Sequence, residues 1–114
     1  MGREDVIRLR HMLEAAEQAL EFMKGRSRRD LEHERMLSFA VVRALEILGE
    51  AASKVGMQTR QMHPHLPWQA MVGMRNRIIH AYFEVDLDRV WDTVSDDLPA
   101  LAAQLRAVLD SEPQ

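Results

Sequence analysis

The sequence predicts an all-α fold, a single antiparallel bundle of four to five helices spanning residues 1–114. Three observations lead there. Apolar residues recur at steps of three and four along almost the whole chain, which is the period of a helix. The strict alternation expected of half-buried strands is missing. The 5 glycines and 4 prolines fall mostly between the periodic stretches, where they act as breaks. A chain of this length buries roughly two-thirds of the surface its unfolded form exposes, so one core can stand without disulfide or metal staples.

The first helix is expected over residues 3–24, where Val6, Leu9, Leu13, Ala16, Leu20 and Met23 form one narrow seam. Lys24, Gly25 and Arg26 close it, glycine being the residue that most readily takes the left-handed cap conformation. A second helix is expected from residue 29 or 30 to about 55. Its apolar residues, from Leu37 and Val41 through Leu45 and Leu48 to Ala52 and Val55, cover an arc of roughly 160°, so it should touch several neighbours. On its other side Ser38, Gly49 and Ser53 form a strip of small residues that permits close approach. Residues 56–67 hold Gly56, Pro64 and Pro67 and read as a connector.

Pro67 suits the start of a third helix over residues 67–82, because its missing N–H costs nothing in a first turn. A fourth helix begins after Asp86, a good N-cap, with Leu87, Val90, Trp91, Val94, Leu98, Leu101, Leu105 and Val108 inward. Pro99 falls inside that pattern, so a kink or break is expected near residues 96–99.

Composition narrows the function classes. Without cysteine there is no thiolate nucleophile, disulfide framework or Cys-based zinc site. No apolar run approaches the roughly 20 residues of a membrane span, and the first residues lack a signal-peptide pattern, so a soluble cytoplasmic protein is expected. The net charge of −3 hides an asymmetry: residues 1–83 carry 13 basic and 10 acidic side chains, residues 84–114 carry 2 and 8. Nucleic-acid contact should therefore fall at a small local site in the first portion.

The informative stretch runs from Gly73 to Tyr82. On a continuous helix Arg75 would point from the middle of an apolar face made by Met71, Val72, Met74, Ile78 and Ile79. Asn76 and His80, four apart, would project together, and Tyr82 would lie within about 20° of Arg75. A guanidinium there needs an anionic partner. Either Glu46 or Glu50 neutralises it inside the protomer, or the face is a subunit interface and Arg75 meets a phosphate. The residues alone leave both open. An obligate cation, an amide, an imidazole and a phenol within eight residues suit metal-free RNA cleavage, in which a base takes the ribose 2′-OH proton and an acid protonates the departing 5′-oxygen. One imidazole per chain then asks for a two-fold dimer, with both copies of His80 and of Arg75 about one cleft.

Arg75-x4-His80-x-Tyr82 matches the Arg-x4-His-x-Tyr signature of HepT-type toxins of the HEPN superfamily of RNases. Asn76 fits the polar position after the arginine. The flanks agree: Ala44-Leu-Glu-Ile-Leu-Gly-Glu-Ala51 resembles the second-helix motif, Pro67-Trp68 precedes the signature, and Tyr82-Phe83-x-Val85-Asp86, Trp91 and Leu98-Pro99 follow it. The similarity spans about residues 5–110. It implies a helical homodimer, joined through the helix that carries the signature, that cuts RNA without metal or other cofactor through Arg75 and His80, supported by Asn76 and Tyr82. It also implies a partner, an MntA-like nucleotidyltransferase antitoxin, that silences the toxin by transferring AMP to Tyr82.

Other signals read as background. In His63-Pro64-His65 the proline turns the chain and no acidic ligand lies nearby, so no metal site is expected. Arg26, Arg28 and Arg29, in the densest basic cluster, and Arg77 beside the signature are candidate holders of RNA phosphates outside the cleft. Trp68 and Trp91 read as packing anchors and the methionines as filler. The alternative function is a non-catalytic module whose same face docks a nucleotide or a nucleotidyltransferase; a purely structural helical dimer is the third.

Overall fold

In the computed structural model, which describes residues 1–81 and 84–112, two long helices carry the core: α1 (Arg3–Met23) and α3 (Arg35–Ser53) lie against each other. The expected seam of α1 is wider than a single row. Leu9, Ala16 and Met23 are buried as anticipated, but so are Met12, Ala15 and Ala19. The reason is a second neighbour, the last helix α8 (Leu98–Asp110), which covers the adjacent flank of α1. Gly25 closes α1 at a φ of 73°, the left-handed conformation expected there.

The helix expected from residue 29 to 55 is two helices. A short α2 (Arg28–His33) ends at Glu34, whose φ of −115° and ψ of 95° are extended, and α3 restarts at Arg35. Asp30 stabilises the start of α2 by accepting the Ser27 backbone N–H at 2.8 Å, half of a capping box. The break frees α2 to turn away from α3's axis and pack on α7 (Leu87–Asp92), burying Leu31. Within α3 the broad apolar arc is observed, with Leu37, Val41, Ala44, Leu45, Leu48, Ala51 and Ala52 buried.

After the short connector helix α4 (Met57–Met62), the third expected helix is again interrupted. It is present as α5 (Trp68–Val72), following Pro67, and α6 (Met74–Ile78), separated at Gly73. It does not continue to residue 82. The chain becomes extended at Ile79, and β1 (Ile79–Ala81) pairs antiparallel with β2 (Glu84–Val85). Two β-branched residues in succession, Ile78 and Ile79, favour that change. The Asp86 backbone N–H then donates to the Ile78 carbonyl at 2.7 Å and closes the ribbon onto the end of α6. This two-stranded ribbon is small, and the domain remains a helical bundle of the expected class.

Asp86 caps α7 as expected, its side chain accepting the Arg89 backbone N–H. The disturbance anticipated around Pro99 takes the form of a π-helical turn, Thr93–Asp97, directly before α8. Pro99 then falls in the first turn of α8, where a missing N–H leaves nothing unpaired. Among the described residues no helix is long and apolar enough to cross a membrane.

Gly49 on α3 sets the distance to α5 and α6. A Cβ at that position would lie 2.9 Å from the Met71 carbonyl oxygen and 3.1 Å from the Met74 Cβ. Alanine would gain up to about 1 kcal/mol of helix propensity. The clash with backbone should outweigh it, because overpacking of this kind costs about 1–3 kcal/mol. Gly49→Ala is therefore expected to lower the urea midpoint of unfolding; an unchanged or raised midpoint would show that α5 and α6 do not press on α3.

Candidate active site

Arg75 emerges from α6 toward solvent, with 65% of its side chain exposed and its Nε 3.7 Å from Oε2 of Glu46 on α3. Its expected place in the middle of an apolar face needs correction. Met71, Met74 and Ile78 turn inward, whereas Val72 is 39% exposed and Ile79 half-buried, so Arg75 stands at the edge between the packed side and an open one. Of the two glutamates considered as partners, Glu46 is the one observed; Glu50 faces Arg43 at 3.5 Å. An exposed pair of this kind contributes about 0–1 kcal/mol, so Arg75 is balanced but not sealed.

Beside Arg75 lies a groove of about 710 Å³ between α3, α6 and the ribbon, lined by Phe39, Val42, Arg43, Ile79 and Leu87 among others. Phe39 in its lining is 69% exposed, a large apolar side chain left open to water.

His80 leaves the helix before its own position. It lies in β1, 59% exposed, with Nε2 3.0 Å from Oδ2 of Asp86. The expected pairing of Asn76 with His80 on one helical face is therefore corrected: α6 ends at Ile78, and Asn76 is exposed on that helix while His80 belongs to the strand. Ile79 lines the groove with Arg75, while His80 is not part of its lining. Tyr82 lies outside the described residues.

Asp86 is the residue that sequence reasoning placed only as a cap. Its Oδ1 accepts the Arg89 backbone N–H at 3.0 Å and its Oδ2 meets His80. The Arg89 N–H is the chief reason its carboxyl is held below the ordinary aspartate range, with the His80 hydrogen bond and the charges of His80 and Arg89 acting in the same direction against partial burial. Only the return of the chain through the ribbon brings Asp86 back to His80, six residues earlier. A helix continued to residue 82 would have hidden this proximity.

The other arginines considered for RNA are mostly engaged. Arg26 pairs with Glu34. Arg28 donates to Asp88 Oδ1 at 2.7 Å and lies 3.1 Å from Glu32, and its pKa is raised mainly by the Asp88 hydrogen bond. Arg29 Nε is 3.4 Å from the His33 ring. Arg77 meets Asp97 at 3.2 Å, while its Nε is buried with no hydrogen-bond partner among the described residues. The His63 and His65 rings meet edge to face at 5.9 Å, and among the described residues no three His, Asp or Glu side chains gather as a metal-holding group. Trp68 is a packing anchor: its Nε1 donates to the His63 carbonyl at 2.9 Å and the Arg60 guanidinium lies 5.8 Å from its ring centre.

A helical bundle that carries a solvent-facing arginine and a histidine five residues apart is consistent with a domain of the HEPN type. The chain belongs to the HepT-like ribonuclease family, whose model matches residues 12–108. It is 37% identical over 109 residues to a provisionally named RNase of Methanocaldococcus jannaschii, covering 95% of this chain and 100% of that one. It is 36% identical over 104 residues to another provisionally named RNase, from Caldanaerobacter subterraneus subsp. tengcongensis, covering 91% and 93%. A provisionally named ribonuclease HepT of Thermococcus cleftensis is 41% identical over 93 residues, covering 82% and 84%. No solved structure matches the chain.

The depressed carboxyl of Asp86 fixes a sign for acid stability. The folded state binds fewer protons than the unfolded one, so its stabilisation is present above the ordinary aspartate pKa of about 3.9 and is lost as pH falls through the lower folded value. In urea titrations the wild type is expected to lose stability below about pH 4 more steeply than Asp86→Asn. Parallel curves for the two proteins would show that Asp86 titrates alike in both states.

Proposed function

We propose that this protein is an endoribonuclease that cleaves RNA without a metal ion, at a composite site formed by two copies of the chain. Membership of the HepT-like family supports the activity, and the exposure of both motif groups, each next to a single carboxylate, supports their availability to substrate. In this reading a His80 takes the proton of the ribose 2′-OH and the 2′-oxygen bonds to phosphorus. The bond to the 5′-oxygen breaks, and the second His80 of the dimer, protonated, supplies that oxygen with its proton. Arg75 binds the phosphate and stabilises charge on the phosphorane, since a planar fork of donors matches two phosphoryl oxygens. Phosphate need displace only the weak contact with Glu46. Asn76 and Tyr82 orient the substrate.

Phe39 and Val72 give this role its second observation. They line two separate hollows that both include Arg75, so apolar surface is open around that side chain, as on a face that another subunit covers. A two-fold pairing through α6 and its surroundings would bring two copies of His80 and Arg75 to one cleft.

In EDTA the purified protein is expected to cut RNA and leave 2′,3′-cyclic phosphate ends, and to sediment as a dimer. Arg75→Ala and His80→Ala should each lose about 100-fold or more in rate while remaining folded. Undiminished cleavage by both variants would defeat the catalytic assignment, and no cleavage by the wild type would favour a non-catalytic module that docks a nucleotide or nucleotidyltransferase.

We further propose that the protein is the toxin of a toxin–antitoxin pair, silenced by an MntA-like nucleotidyltransferase that transfers AMP to Tyr82. An added phosphodiester beside the motif would bring an anion to Arg75 and obstruct the substrate's path. Incubation with such an enzyme and ATP is expected to add AMP on Tyr82, read by peptide mass spectrometry, and to suppress cleavage; addition elsewhere with cleavage intact would count against it.

A further inference from the structure

We infer that Asp86 is the positioning residue for His80: it holds the imidazole by Nε2 and thereby presents Nδ1 as the nitrogen that exchanges protons with RNA. The inference rests on the proposed role of His80, and it specifies which atom acts and what orients it.

Three features of the geometry support it. First, the contact is made from a fixed support. Asp86 is half-buried, its Oδ1 is held by the Arg89 N–H at 3.0 Å, and its own N–H is tied to the Ile78 carbonyl at 2.7 Å. The carboxylate that meets His80 is thus anchored to the start of α7 and to the end of α6 together, which surface carboxylates on flexible side chains are not. Second, the partner is an acceptor. A carboxylate held below its ordinary pKa is ionised at neutral pH and accepts a proton, so it selects the tautomer with hydrogen on Nε2. The lone pair of the neutral ring is then on Nδ1. Third, Nδ1 makes no hydrogen bond to any described residue, and the ring is mostly exposed, as a group that meets a substrate must be.

Arg89 holds the far oxygen of Asp86 through its backbone N–H and adds its own positive charge nearby, and Glu84 on β2, paired with Ala81, is exposed. When the imidazole takes the 2′-OH proton on Nδ1 it becomes a cation hydrogen-bonded to the Asp86 carboxylate, which stays ionised. The carboxylate stabilises the charge and keeps the ring from rotating. The consequence is a specific expectation about a variant: asparagine caps a helix about as well as aspartate, so Asp86→Asn should keep α7 while losing the charge and the enforced tautomer.

The experiment combines two readouts on the full chain. Long-range proton–nitrogen NMR correlations of His80 in the wild type, above neutral pH, are expected to show the tautomer protonated at Nε2; Asp86→Asn should show a mixture. Cleavage kinetics in EDTA should show kcat falling by about 10- to 100-fold in Asp86→Asn with KM nearly unchanged, the pattern of a lost supporting residue and not of lost binding. A wild-type ring protonated at Nδ1 would overturn the inference. So would a folded Asp86→Asn that cleaves at the wild-type rate, or one that loses activity only through KM. If the wild type shows the Nε2 tautomer yet cuts no RNA, the ribonuclease reading fails and takes the positioning role with it, while the structural pair stands; the two failures are thereby separated.

Discussion

The arrangement of the motif depends on one closure: the backbone N–H of Asp86 on the carbonyl of Ile78. That hydrogen bond stops α6, pairs the two short strands and starts α7 at the same point. It fixes where His80 emerges, because a histidine in a strand directs its ring away from the plane of the ribbon, whereas one on a helix would follow Asn76 around the axis. The same residue then uses both carboxylate oxygens, one for the cap of α7 and one for the imidazole. Fold and site are joined in a single side chain, through two different oxygens.

Arg75 obeys a different constraint. A guanidinium remains charged at any accessible pH, so it cannot escape burial by losing its proton. The packing of α5 and α6 resolves this by turning Met71, Met74 and Ile78 onto α3, under the close approach that Gly49 permits, and leaving Arg75 at the boundary with Glu46 as a nearby counter-charge. A contact of 3.7 Å with most of the side chain in water is weak enough to be exchanged for a phosphate. A buried, fully hydrogen-bonded partner would instead have locked the arginine into a structural role.

Much of the bundle was legible in the sequence because its signals are local and periodic. The seam of α1, the left-handed Gly25, the broad arc of α3, the small side chain at Gly49 and the cap at Asp86 all follow from spacing or from the conformational preference of one residue. The misplacements share a cause: the helical wheel assumes an unbroken helix. Nothing in the residues around Glu34 forbids a helix; α2 is set off from α3 there and packs on both α3 and α7 with Leu31 buried, a tertiary arrangement that periodicity does not register. Likewise, the wheel carried Arg75, Asn76, His80 and Tyr82 through a single axis, while the chain changes to strand at Ile79. The motif's residue types were readable; the geometry that relates them was not, since it depends on a contact between positions 78 and 86. The partner of His80 lay hidden for the same reason.

The charge asymmetry of the chain finds its physical meaning in the folded arrangement. The acidic portion does not form a separate patch. Asp88 takes Arg28, Asp97 takes Arg77, and Asp86 takes His80, while Glu34 within the first portion takes Arg26. These pairings offset the charge of Arg26, Arg28 and Arg77, three cations that lie outside the groove. Three arginines line the groove: Arg75 with its weak partner, Arg43 at 3.5 Å from Glu50, and Arg35, for which no ion pair occurs among the described residues. Glu32 and Glu46 lie there too, so the local field is modest and short-ranged, screened within about 8 Å at physiological salt. An anion would be attracted only once it is nearly in place. For the proposed activity this favours recognition by a few close contacts at one phosphate over retention of long stretches of RNA, in keeping with a chain whose net charge is itself negative.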